Sequence, residues 1–141
     1  MSEAMPIGGL SRKTGVKVPT IRYYEGIGLL ASPPRTVGNR RLYGLEAVDR
    51  LRFIRHAREL GFEVDVIRQL LELSDQPDGS CAAVDAIARQ HLAGIKSRIT
   101  RLKALEREVQ RMLAECSQGR ICECRVINVL SHHEHCLHHN G

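Results

Sequence analysis

From about Ala82 to Glu115 the sequence contains no proline, and apolar residues recur along it at Leu92, Ile95, Ile99, Leu102, Val109 and Leu113. The steps alternate between three and four, and only Glu106 interrupts them. This is a heptad seam, a stripe that one helix cannot bury alone and that pairs with a second helix. The spacing therefore predicts one long helix whose apolar edge forms a dimer core. A further step of three from Leu113 lands on Cys116, so the periodicity that places the seam also places a thiol.

The remaining thiols make that helix informative. Cys81 stands at its start, while Cys116, Cys122 and Cys124 follow its end. A helix rises ~1.5 Å per residue, so Cys81 and Cys116 lie roughly 50 Å apart in one chain. Thiolates sharing a zinc ion each sit ~2.3 Å from it. One chain cannot bring the two ends together, but two helices paired antiparallel can. Cys81 of one protomer then meets Cys116 and Cys124 of the other, giving two equivalent sites about a twofold axis. Cys124 is favoured over Cys122 because a short helix, RVINVL, starts directly after it. Cys122 is either a third ligand or a bystander. No apolar run reaches the ~20 residues of a membrane span, and MSEAMPIGG lacks the core of a signal peptide. A cytoplasmic protein with no membrane partner is expected, its thiols reduced and available as ligands.

The first third of the chain has a different character. Between Arg12 and Arg58, eleven Lys and Arg residues oppose only Glu25, Glu46 and Asp49, while the whole chain carries +5. A basic head on a mildly acidic body points to a polyanion partner. Residues 7–26 read as two short helices around a tight turn, with Gly15 closing the first and Pro19 in the first turn of the second. That is helix-turn-helix grammar. The breakers Pro33, Pro34, Gly38 and Asn39 exclude a helix over 32–43, and GN before RRLY suits a hairpin or wing. Residues 45–60 form an amphipathic helix through Leu45, Val48, Leu51, Ile54 and Leu60, and Gly61 ends it. EVDVIRQLLELS makes another, and QPDGS breaks the chain before the long helix. No paired carboxylates, nucleophile elbow or phosphate-cradling loop appears, which argues against an enzyme.

TIRYYEGIGLL (20–30), PPRTVGNRRLY (33–43), RLRFIRHARELGF (50–62), the seam helix and the set Cys81, Cys116 and Cys124 together resemble the MerR family of metal-responsive transcription factors. The resemblance runs from about Ile7 to Leu130. It implies a mainly α fold: a winged helix-turn-helix DNA-binding domain over 5–75, then a linker and a long antiparallel coiled-coil dimerisation helix over 76–115. A metal-binding loop, short helix and His-rich tail follow over 116–141. Such homodimers bind double-stranded promoter DNA whose polymerase elements are spaced too far apart. Metal loading distorts the DNA so that RNA polymerase can start, and the regulated genes serve metal efflux or detoxification. By motif, Lys17, Thr20, Arg22, Tyr23 and Tyr24 belong to the groove helix and its phosphates. Arg35, Arg40, Arg41 and Tyr43 of the wing, with Arg58 beyond, would grip the backbone. Arginine's fixed fork suits that role.

Within the family, cysteine at the position of Cys81 goes with divalent ions and serine with monovalent copper. Zinc is expected first, then cadmium, lead and mercury, in keeping with soft thiolate donors. The seven residues between Cys116 and Cys124 are commoner in copper(I) sensors, which keeps a copper(I)-responsive regulator as an alternative. The tail offers His132, His135 and Cys136, either as supplementary ligands of a zinc site or as part of a flexible polar tail. A redox-sensing iron–sulfur regulator is the other alternative, since Cys116, Cys122, Cys124 and Cys136 number four. It would leave Cys81 idle.

Overall fold

The computed structural model describes residues 4–115, 119–121 and 124–131. Six helices occur among them: α1 (Ile7–Thr14), α2 (Val18–Gly26), α3 (Leu45–Glu59), α4 (Val64–Ser74), α5 (Ala82–Ala114) and α6 (Arg125–Ser131). They divide into two compact units at the boundary between Ile87 and Ala88. None of the described helices is long and apolar enough to cross a membrane.

In the first unit, glycine conformations fix where helices stop. Gly15 takes φ 75° and returns its N–H to the carbonyl of Ser11 at 2.8 Å, ending α1. Gly28, at φ 77°, closes α2 through the carbonyl of Glu25. Gly61, at φ 88°, separates α3 from α4. These are left-handed conformations, which a residue without Cβ adopts at least cost. The turns fold α1, α2, α3 and α4 around one core in which Leu10, Ile21, Leu51, Ile54 and Ile67 are wholly buried. Each such burial contributes about 1.5–3 kcal/mol.

The α3 face differs at its ends from the face read in the sequence. Val48, Leu51 and Ile54 are buried as expected, but Leu45 and Leu60 are exposed and Ala57 takes the last core position. Leu60 is the C-cap residue, beyond the last helical turn, and so is carried off the packed stripe. The wing is a tight turn rather than a laddered sheet. Arg35 and Arg41 form one isolated antiparallel bridge, Thr36 N–H donates to Arg40 O at 2.7 Å, and Asn39 turns the tip at φ 61°. A second bridge joins Met5 to Tyr43.

Arginines reach across this unit to backbone carbonyls, two at the ends of α1 and α2 and one in the turn after α2. Arg55 Nη1 donates to Thr14 O at 2.6 Å, Arg68 Nη2 to Ile27 O at 2.8 Å and Arg50 Nε to Leu29 O at 3.3 Å. Helix C-termini present unsatisfied carbonyls and the negative end of the dipole, so a guanidinium satisfies both.

The second unit has little interior of its own among the described residues. Met112 and Asn128 are its buried side chains. Leu92, Ile99, Leu102, Leu105, Val109 and Leu113 of α5 are between 46% and 63% exposed. Leu105 lies beside Glu106, the position that interrupts the heptad count, and supplies apolar surface there. At the far end, Arg125 Nε pairs with Glu115 Oε2 at 2.9 Å and ties the start of α6 to the end of α5.

Candidate nucleic-acid interface and metal centre

The outer surface of α2 carries polar and basic groups because its other side feeds the core through Ile21. Lys17, Arg22 and Tyr23 are exposed, and Thr20 is half-buried. Lys17, Thr20 and Tyr24 stand at successive helical intervals and line one open hollow of about 390 Å³ with Arg55, Arg58 and Glu59. Arg58 is exposed, with Nη1 donating to Phe62 O at 3.0 Å. Tyr24 is buried, its ring 5.9 Å from that of Tyr23, so its bulk holds the helix in place.

On the wing, Arg35, Arg40 and Arg41 are all exposed. Arg35 and Arg41 face each other across the bridge, an arrangement that like charges disfavour and an anion would relieve. Tyr43 is placed differently. It is 2% exposed, and its hydroxyl donates to Glu25 Oε2 at 2.8 Å. Burial, and then the Glu25 carboxylate, push its phenol up from 10.0 to about 12, with Arg41 and Arg22 pulling the other way.

The sign of the linkage follows. A proton held more tightly in the folded state stabilises the fold below the ordinary tyrosine range, and that stabilisation is lost as pH climbs from 10 towards 12. In an alkaline phenolate titration followed by ultraviolet absorbance, Tyr43→Phe should remove a late step centred near 12. If the substitution removes a step at the ordinary value instead, the hydroxyl is not held by Glu25.

Of the thiols, Cys81 is exposed and Cys124 half-buried. Each precedes a helix whose first hydrogen bonds fix its backbone. Asp85 N–H donates to Cys81 O at 2.9 Å, and Asn128 N–H to Cys124 O at 2.9 Å. No three His, Cys, Asp or Glu side chains gather into a metal-sized cluster among the described residues. Cys116, Cys122, His132, His135 and Cys136 lie outside the described residues.

Two family profiles cover this architecture: a MerR helix-turn-helix family regulatory protein profile over residues 5–74 and a MerR DNA-binding profile over 48–112. The chain belongs to the MerR family. It is 37% identical over 125 residues to the mercuric resistance operon regulatory protein of Bacillus cereus, spanning 88% of this chain and 95% of the relative. The crystal structure of the transcription regulator PbrR691 from Ralstonia metallidurans CH34, in complex with lead(II), superposes with a TM-score of 0.80. Identity is 40%, covering 89% of this chain and 98% of that one. The crystal structure of a dual-function MerR regulator from Bacillus megaterium MB1, in complex with mercury(II), gives a TM-score of 0.68 at 32% identity, covering 90% and 99%. MerR-family members are DNA-binding transcription regulators rather than enzymes.

Three further residues shape this MerR-family head: Glu25, Arg55 and Arg68. In the sequence Arg55 is one cation of a uniform basic field, whereas its guanidinium caps a helix. No local pattern announces such a partnership, because donor and acceptor are 41 residues apart. Glu25 was visible as one of few acids among many bases, a signal that it has a fixed partner.

Proposed function

We propose that this chain is a homodimeric regulator that binds promoter DNA and alters transcription when a thiophilic divalent metal ion is present. The opposed pair Arg35 and Arg41, beside exposed Arg22 and Lys17, is the observation that carries the DNA reading. Exposed cations on the groove helix and on the wing suit a phosphate backbone. The apolar stripe on α5 carries the dimer reading. An exposed row of Leu, Ile and Val along a helix buries itself against a like row, and a second copy supplies one.

For the metal, the donor chemistry fits. Cys81 is accessible and Cys124 partly so, each with its backbone fixed at a helix start, and thiolate donors select zinc, cadmium, lead and mercury over hard ions. Cys81 of one protomer with Cys116 and Cys124 of its partner would hold the ion, with Cys122, His132, His135 and Cys136 as further donors. A bound ion would supply a cross-link between protomers. The protein's part is to present its thiols from opposed helices and to pass the change to the DNA-binding heads, and through them to RNA polymerase. Zinc heads the series, since mixed imidazole and thiolate donors suit it. The relatives that hold lead(II) and mercury(II) support the thiophilic class.

Arg22→Ala should weaken binding to every promoter duplex tested by roughly tenfold and reduce the salt slope by about one. Titrating labelled duplexes at several salt concentrations measures both. Unchanged affinity and slope would remove α2 from the interface.

A further inference from the structure

Glu25 breaks a local rule. It occupies the last turn of α2, where the helix dipole disfavours an anion, and it sits in the most basic region of the chain. Its carboxylate is nevertheless held by two hydroxyl donors. Tyr43 Oη donates at 2.8 Å and Ser32 Oγ at 3.0 Å, both to Oε2. These donors come from the segment after α2 and from the return leg of the wing. Tyr43 is itself locked by its main chain, which exchanges hydrogen bonds of 2.9 and 2.7 Å with Met5 just before α1. A residue that violates local electrostatics and gathers three chain segments serves geometry beyond its own helix.

We infer that Glu25 is a positioning residue: through the buried Tyr43 hydroxyl it fixes the wing arginines in register with Arg22 of α2. Arg41 lies two residues before Tyr43, and Arg35 is bridged to Arg41. Arg22 and Arg41 both act electrostatically on the Tyr43 hydroxyl, so the two basic elements converge on this pair. Tyr43 thus aims the wing and does not itself contact phosphate. This inference rests on the DNA-binding reading above.

The full chain, folded and dimeric, is assayed against a duplex that the wild type selects from a random pool. Glu25→Ala removes a negative charge near a polyanion, so charge alone predicts tighter binding. Positioning predicts the reverse: roughly tenfold weaker binding, with hydroxyl-radical protection lost at the wing phosphates and kept at those of α2. Tyr43→Phe should match it, and the double variant should be no weaker than either single one, since both break one link. Glu25→Gln, which keeps an acceptor of the same size, should stay near the wild type. If Glu25→Ala fails to fold, Tyr43→Phe carries the test, since it removes only the hydroxyl. Tighter or unchanged binding by Glu25→Ala, additive losses, or uniform loss of protection over both elements would overturn the assignment. Failure of the wild type to select any duplex would instead sink the DNA reading itself.

Discussion

Cys81→Ser should abolish the response to zinc, cadmium, lead and mercury while promoter affinity stays within about twofold of the parent. The serine hydroxyl is nearly isosteric with the thiol, but it is not ionised at neutral pH and is too hard a donor for these ions. Cys81 is exposed at the approach to α5, so its loss opens no cavity and removes no core contact. It lies outside α2 and the wing, so the arginines are undisturbed. In vitro transcription with each ion, beside a duplex titration without metal, separates the two effects. A Cys81→Ser chain that answers zinc as the parent does would remove this residue from the metal site.

Gly15→Val should destabilise the protein by about 3 kcal/mol or more. Two costs combine. A β-branched residue at φ 75° is strained by ~1–3 kcal/mol. A Cβ at this position would also stand 2.2 Å from Arg55 Nη1, so the guanidinium must leave the Thr14 carbonyl it caps. Losing a charge-assisted hydrogen bond costs a further ~1.5–3 kcal/mol. The denaturant midpoint should fall with little change in slope, since the same surface is exposed on unfolding. A loss below about 1 kcal/mol would mean that the α1–α2 turn can relax around the side chain.

The helices were legible because their signals are local. Gly15, Pro19 and Gly61 mark ends that the structure places within a residue or two, and the seam predicts α5 to within one residue of Ala114. What sequence could not show depends on distance. Arg55 and Arg68 look like Arg22 in one dimension, yet they cap helices contributed by residues 41 positions away. Tyr43 falls within PPRTVGNRRLY, and the family resemblance implies a wing contact for it. Its burial is set by Met5 and Glu25, which lie in other segments. On α5, Glu106 interrupts the strict heptads, while Leu105 beside it adds to the exposed apolar stripe.

The most direct test of the shared metal site is a mixed dimer, one protomer carrying Cys81→Ser and the other Cys116→Ser with Cys124→Ser. Antiparallel sharing leaves one complete site and one empty of all three thiolates. Metal content of the purified mixed dimer should therefore be a single tightly held ion. A site built within each protomer would leave both sites damaged, and a mixed dimer that holds no ion with parental affinity would contradict the account.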